Sequence, residues 1–456
     1  MTLPDGPTTP PALQLIQWIA DPFGYMETNA RKYGDLFTAR LGSKKTVVMV
    51  SHPEAMQQML LGDAFEAPGD ANDILRPLLG DNSLILLDGD RHKKRRKLLM
   101  PPFHGERMRS YGEIIRDIAW QTASQLAPGS RFIARDAMKE ITMRIILRVV
   151  FGLDEGLRFR QLEQLIGERL GMTASLPRVS LIFFPFLRRD FGPINFWKPV
   201  MQKQAQVDEL IYAQIAERRA NPDPNSTDIL SLLLLTRDEA GRGLSDVELR
   251  DELITLLVAG HETTATALAW ALYWIHKLPQ VREKLLAELD SLGDNPDPMT
   301  IFRLPYLTAV CQETLRIYPV GMLTFTRVTR SPVELMGCHL EPGVEFLGSI
   351  YLTHQREDLY PEPKQFKPER FLERQYGAYE FMPFGGGARR CIGIALAQFE
   401  MKLVLATILS RTELALADSK PIKPKRRGLV SAPSGGVPMV LKSRRQKTAP
   451  SQMATV

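Results

Sequence analysis

Cysteine is scarce: the 456 residues hold three, Cys311, Cys338 and Cys391, set far apart. That excludes a disulfide framework or a zinc cluster built on cysteine pairs, and it fits a reduced, cytoplasmic compartment. Long apolar runs are also lacking, since none approaches the roughly 20 residues that span a bilayer. No transmembrane anchor is therefore expected. Residues 1–11 lack a charged leader followed by an apolar run, so no signal peptide is expected either. The nearest apolar stretch, residues 179–187, is about half the spanning length and contains Pro185. It reads either as a loop or helix end over an apolar pocket, in weak contact with lipid, or as buried core. Gly/Ser linkers, low-complexity blocks and internal repeats are missing as well. One domain over residues 1–456 is expected, with a flexible extension at 1–20 and a flexible tail at 443–456.

The composition that is present, 44% hydrophobic and 24% charged, is that of a globular enzyme. The net charge is +6, and basic residues gather at 91–97 and in the tail at Lys442, Arg444, Arg445 and Lys447. A basic surface favours acidic partners such as nucleic acid, anionic lipid or an acidic redox protein. Acidic residues are spread throughout, so nucleic-acid binding has no support and a solvated surface is the default.

Helical periodicity dominates. Apolar residues recur at three- and four-residue spacing from about Arg107 to Gly152 and from Gln161 to Asn221. Ser245-Asp-Val-Glu248 has the form of a capping box, and the pattern then runs without proline to Leu278, where Pro279 stops it. Such a helix would be on the order of 50 Å long. It is apolar nearly all round between Leu253 and Ile275, so it should be buried. Strand-like runs are short: residues 36–41 and 46–50 as a hairpin, then 332–336, 344–351 and 437–441. Pro438 predicts an edge position for the last. The fold class is mainly α with a smaller β-rich region.

The most informative segment is Phe384-Gly-Gly-Gly-Ala-Arg-Arg-Cys391-Ile-Gly393. Its glycines allow unusual backbone angles and the close approach of something bulky. Ile392, Ala395, Leu396, Phe399 and Leu403 then have helical spacing, which puts Cys391 at or just before a helix N-terminus. The free N–H groups there, with Arg389 and Arg390, should lower the thiol pKa. A thiolate could be a nucleophile or a ligand for a soft or borderline metal such as haem iron; a structural cysteine in a glycine turn is the third reading. A phosphate loop is disfavoured, because no Gly-Lys-Ser/Thr follows. Two other patterns stand out. Glu313 and Arg316 share one helical face. Ala259-Gly-His-Glu-Thr-Thr264 places a glycine, an acid and two hydroxyls mid-way along an apolar helix, where local rules break together. Threonines bonding back to the preceding turn would be the plain explanation of the latter.

Phe384, Gly387, Arg389, Cys391 and Gly393 match every fixed position of F-x-x-G-x-R-x-C-x-G, and Ala259–Thr264 matches A-G-x-[DE]-T-[TS]. By these motifs, in the right order, the chain resembles the cytochrome P450 family of soluble bacterial type, from about Pro22 to Val440. The resemblance implies the P450 fold, with a long central helix over haem b (iron protoporphyrin IX) and Cys391 as the proximal iron ligand. It implies that Phe384, Gly385 and Gly393 surround the sulfur and the haem, and that Arg389 pairs with a haem propionate. His92, Arg96, Arg327 and His354 match further propionate-contacting positions. Ala259 and Gly260 would lie over the haem, Thr263 would hydrogen-bond dioxygen in a widened helix, and Glu262 would relay protons. Glu313, Arg316 and Arg370 would form a buried network holding the fold.

The implied reaction is a monooxygenation, the hydroxylation or epoxidation of a hydrophobic small molecule with O2. Long-chain fatty acids, alkanes and terpenoids all fit. Substrate contacts are expected from residues 71–86, 172–193, 255–263, 319–325 and 431–435, with Phe183, Phe184, Phe186, Leu323 and Phe325 making an apolar pocket. No flavin or iron–sulfur motif is fused to the chain, so electrons would come from a separate ferredoxin or flavodoxin with its reductase. A peroxide-driven hydroxylase, a hydroperoxide isomerase and a non-catalytic haem sensor are the alternatives. The pair Glu262-Thr263 would be idle in a sensor and is usually absent from the peroxide-driven relatives.

Overall fold

The capping box closes as its spacing predicts: the Ser245 hydroxyl accepts from Glu248 N–H at 3.3 Å, and the Glu248 carboxylate accepts from Ser245 N–H at 2.9 Å. The computed structural model describes residues 3–42, 45–103, 107–173, 197–223, 225–428 and 430–445. The α-helices in order are α1 (Pro11–Ala20), α2 (Pro22–Tyr33), α3 (Pro53–Leu61), α4 (Arg76–Leu79), α5 (Gly89–Leu99), α6 (Arg107–Ser124), α7 (Ala134–Val149) and α8 (Leu157–Thr173). They continue as α9 (Lys198–Ala220), α10 (Ile229–Leu235), α11 (Asp246–Lys277), α12 (Pro279–Asp290), α13 (Pro298–Phe302), α14 (Pro305–Ile317), α15 (Ile350–His354), α16 (Arg370–Glu373) and α17 (Ile394–Arg411). Several start with proline in the first turn, where its missing N–H has no partner to lose.

The long helix α11 runs 32 residues, about 48 Å at 1.5 Å per residue. Its girdle is buried on both sides of the Ala259–Thr263 stretch, from Leu249 to Leu257 and from Thr264 to Tyr273. Helix α7 lies along it, and α14 and α17 also pack on it. Trp270, Phe151, Ile215, Leu307 and Phe399 belong to one continuous core around it.

The strands form a separate region. β1 (Leu36–Arg40), β2 (Thr46–Val50), β3 (Phe65–Glu66), β5 (Arg327–Thr329) and β8 (Glu345–Gly348) make one sheet in the order β1-β2-β8-β5-β3. β1 and β2 are the expected hairpin, with Leu36 opposite Val50 and Arg40 opposite Thr46. β2 and β8 pair in parallel, while β6 (Val333–Leu335) with β7 (Cys338–Leu340) and β10 (Pro424–Arg427) with β11 (Val430–Pro433) form two separate antiparallel ladders. The strand expected over 344–351 stops at Gly348, because the Ser349 hydroxyl accepts from Leu352 N–H and starts α15.

The edge position expected from Pro438 is corrected. β12 (Pro438–Arg444) is the middle strand between β4 (Arg131–Ile133) and β9 (Thr412–Leu416). Proline is tolerated there because it is the first residue of the strand, and its carbonyl still accepts from Ala417 N–H at 2.9 Å. The expected flexible ends are corrected in part. α1 is anchored by Gln14, which donates to Pro7 and Thr9 carbonyls, and by buried Trp18. Arg444 donates to the Ala123, Ser124 and Leu126 carbonyls, so order reaches at least Arg445; residues 446–456 lie outside the described residues. The apolar segment 179–187, with Phe183, Phe184 and Phe186, also lies outside them. No helix among the described residues is long and apolar enough to cross a membrane.

Candidate active site

The cysteine loop is shaped by its glycines. Gly385 and Gly387 have φ of 69° and 62°, and a Cβ on Gly387 would stand 2.3 Å from the Leu60 carbonyl oxygen. Only glycine meets both conditions at 387. Cys391 N–H donates to the Phe384 carbonyl at 3.0 Å, closing the loop, and Gly393 caps α17. Cys391 has open surface because it lines a cavity, yet protein atoms pack around its thiol. Burial pushes its pKa up, against the lowering effects of a backbone bond from Gly393 and the charges of Arg96 and Arg390. The expectation of a thiol poised low by the protein alone is thus corrected: desolvation outweighs the helix end and the arginines. A metal ion on the sulfur would reverse this, since a coordinating thiol loses its proton outright.

The cavity measures about 390 Å³. Ala259, Gly260 and Thr263 of α11 line it together with Phe384, Gly385, Cys391 and Gly393. Gly260 answers to packing as well as to the cavity, because a Cβ there would meet Ile146 Cδ1 of α7 at 2.7 Å. The Thr263 hydroxyl donates to the Ala259 carbonyl at 2.6 Å. The helix stays regular α through this turn, so the expected widening is absent. Glu262 does not line the cavity. Its carboxylate pairs with Arg135 of α7, and Lys139 lies close by. Thr263 and Glu262 are adjacent in sequence but face different surroundings.

Basic side chains line the same cavity: the His92 imidazole and the Arg96 guanidinium from α5, with the guanidinium groups of Arg327 from β5 and Arg389 from the cysteine loop. Arg389 donates to the Leu84 and Ala67 carbonyls at 3.1 and 2.6 Å, and Arg327 to the Phe325 and Thr326 carbonyls. Burial pushes Arg327 and Arg389 down to about 10 and His92 down to about 4; Arg389 adds to the fall at Arg327 and His92. Among the described residues, none of Arg96, Arg327 and Arg389 has a carboxylate at ion-pair distance; Asp88 acts on His92 and Arg389 only at longer range. Buried charge without a counter-ion is costly, so this cluster fits a ligand with anionic groups of its own. The two carboxylates of haem b would meet that requirement, and the Cys391 thiol would offer a donor that suits its iron.

His354 is corrected. It lies on α15, away from the cavity lining and fully buried. Its Nε2 accepts from Met382 N–H at 3.0 Å, its ring stacks on Phe381, and burial drives its pKa down to about 3. It belongs instead beside the charged network, where its carbonyl accepts from Arg316 at 2.8 Å. In that network Glu313 accepts from Arg316 Nε at 2.6 Å and Nη2 at 2.8 Å, from Arg370 Nε at 3.2 Å and from Lys367 N–H at 2.8 Å. Arg370 therefore completes the trio as its sequence context suggests.

A family model described as "Cytochrome P450" matches residues 4–439. The chain belongs to the cytochrome P450 family. It is similar to cytochrome P450 135B1 of Mycobacterium tuberculosis, 35% identical over 99% of this chain and 94% of that protein. Cytochrome P450 135A1 of the same organism is 34% identical over 95% of this chain and 94% of its own length. Among solved structures, retinoic acid-bound cyanobacterial CYP120A1 covers 97% of this chain and 100% of its own, with TM-score 0.83 and 25% identity. The haem domain of cytochrome P450DA superposes with TM-score 0.85 at 23% identity, covering 98% of both chains. The chain is accordingly a P450 monooxygenase with haem b as its cofactor.

This P450 carries one cavity residue that the motifs did not flag. Glu400 of α17 is fully buried and lines the cavity, and among the described residues its Oε1 has no hydrogen-bond partner. Burial raises its carboxyl pKa well above the usual range. The local signal was the one acid in a mostly apolar run from Ile392 to Leu409.

Proposed function

We propose that the chain hydroxylates or epoxidises an apolar small molecule, with Cys391 as the thiolate ligand of its haem. One observation carries this reading: a single cavity is lined by a cysteine thiol, by Thr263 of the long helix and by cations without counter-ions. His92, Arg96, Arg327 and Arg389 would hold the haem carboxylates. Phe384, Gly385 and Gly393 would pack near the sulfur, while Ala259 and Gly260 keep the helix face free of bulk. When bound, a thiolate-ligated haem supplies reductive activation of dioxygen, the sulfur's electron donation favouring O–O cleavage. The Thr263 hydroxyl can turn from the Ala259 carbonyl and donate a hydrogen bond into the cavity. Glu262, held by Arg135, would pass protons towards it from outside the cavity.

The substrate wall is apolar, with Leu84, Ile85, Leu256, Leu323 and Phe325, which suits a long-chain fatty acid, alkane or terpenoid. The cyanobacterial relative holds retinoic acid, an isoprenoid acid. Residues 431–435 do not line this cavity, so a contact from that turn is left out of the reading. Electrons would come from a ferredoxin or flavodoxin with its reductase, an acidic carrier suiting the exposed basic residues Arg91, Lys93, Lys94 and Lys97 of α5. Three free cysteines fit work in the cytoplasm.

The test is turnover of a fatty-acid and terpenoid panel with reductant, a ferredoxin–reductase pair and oxygen-18-labelled dioxygen. One labelled atom per product is expected. Product formed from added peroxide but not from reductant and dioxygen would replace this reading by a peroxide-driven one.

A further inference from the structure

Residues 80–87, between α4 and α5, form one wall of the cavity through Leu84 and Ile85. Acids at the start of α11 hold this segment in place. Gly80, with φ of 86°, sits so close to Asp251 that a Cβ would stand 2.1 Å from Oδ1. Asp251 Oδ2 accepts from Asn82 N–H at 2.9 Å and from Asn82 Nδ2 at 3.0 Å. Thr255, on the next turn, donates to Ser83 Oγ at 2.7 Å. Glu252 is wholly buried and accepts from Leu84 N–H at 3.2 Å and from Arg95 Nη1 at 3.0 Å. Arg95 also reaches the Asn82 carbonyl at 3.1 Å and pairs with Glu248.

Leu84 is the joint. Its N–H is held by Glu252 of α11, and its carbonyl accepts from Arg389 of the cysteine loop at 3.1 Å. Through Arg95 the same carboxylate pins α5, which carries His92 and Arg96. Burial pushes Glu252 up to about 7 even though Arg95 and the Leu84 N–H favour its charged form. A buried ion pair of this kind adds little stability over an apolar pair of the same shape, so its value lies in fixing position.

We propose that Glu252 is a positioning residue for the substrate side of the cavity. Through Leu84 it sets where the Leu84–Ile85 wall stands relative to Arg389, and so it sets affinity for ligands long enough to reach that wall. The last step rests on the proposed reading of the cavity as a haem and substrate site.

The experiment compares wild type, Glu252→Gln and Glu252→Leu in haem-loaded protein, titrated with imidazole and with 4-phenylimidazole by absorbance. Imidazole is the smaller iron ligand, and the added phenyl ring of 4-phenylimidazole would extend into the cavity that Leu84 and Ile85 line. Glu252→Leu is expected to weaken 4-phenylimidazole about tenfold, which is about 1.4 kcal/mol, and to change imidazole affinity less than about twofold. Glu252→Gln should fall between, since its carbonyl keeps the Leu84 N–H while its NH2 opposes Arg95. Amide hydrogen exchange over residues 80–87 should rise in the same order. Equal weakening of both ligands, or no change in either, overturns the proposal. Should Glu252→Leu not fold, Glu252→Gln and Asn82→Ala carry the test with the same selectivity expected. If wild type takes up no haem, the proposed function fails on its own. The exchange measurement then decides for the joint, and unchanged exchange at 80–87 in Glu252→Gln overturns it.

Discussion

Removing the Glu313 carboxylate should cost the protein a large part of its stability. Two of its acceptor bonds serve Arg316, one serves Arg370 and one serves the Lys367 backbone, and the carboxylate is entirely buried. Glu313→Ala leaves two buried guanidinium groups sharing only carbonyl acceptors at His354, Gln365 and Pro361. Breaking a buried ion pair from one side costs roughly 3–5 kcal/mol. A loss of that size is a large fraction of the ~5–15 kcal/mol that holds a protein folded. Arg370→Ala removes a single 3.2 Å bond to Glu313, so it should cost about 1.5–3 kcal/mol, the range for one bond to a charged group. Urea unfolding followed by circular dichroism, with haem saturation held equal, should rank Glu313→Ala well below Arg370→Ala and both below wild type. A Glu313→Ala midpoint equivalent to less than about 1 kcal/mol of loss would refute the reasoning, since a solvated pair behaves that way.

Four further outcomes are expected. Thr263→Ala should keep haem and substrate affinity but divert electrons to peroxide, measured as product formed per reductant consumed; unchanged coupling would remove Thr263 from proton delivery. Gly260→Ala should destabilise by about 1–3 kcal/mol through its clash with Ile146, and Ile146→Val should restore part of that loss in thermal melts. His92, His261 and His354 are buried and His276 is half-buried, and desolvation pushes the pKa values of His92, His261, His276 and His354 down to about 4, 3, 4 and 3. Such groups bind protons more readily when unfolded, so their contribution is full above pH about 6.5 and is lost as pH falls towards 4 and below. Thermal midpoints should drop through that window, and His354→Gln should make the drop shallower. Burial raises the Glu400 pKa, so its protonated-acid carbonyl band in an infrared difference spectrum against Glu400→Gln should persist to higher pH than that of an exposed carboxyl; a band lost in the ordinary carboxylate range would contradict the shift.

What could be read from the sequence was what local signals encode. The Ser245 cap, the Pro279 stop and the apolar girdle between them define α11 without tertiary information. The glycine pattern before Cys391 likewise implies a loop that only glycine can follow, and positive φ at Gly385 and Gly387 bears this out. What could not be read depended on neighbours distant in sequence. Pro438 sits in a central strand because β4 arrives from residue 131 to cover it. His354 turned from the cavity because Met382 N–H, far along the chain, takes its ring nitrogen. The Cys391 thiol rose because desolvation depends on how the whole chain closes around it. Glu252 and Glu400 look like ordinary helix acids in one dimension, and only the packing shows that one accepts from the Leu84 N–H while Oε1 of the other has no hydrogen-bond partner among the described residues.

The central claim, that Cys391 binds the haem iron as a thiolate, is tested most directly by the absorption spectrum of the reduced protein under carbon monoxide. The account predicts the Soret position of a thiolate-ligated carbonyl complex in wild type and its loss in Cys391→Ala. A histidine-type spectrum in wild type, or an unchanged one in Cys391→Ala, would contradict it.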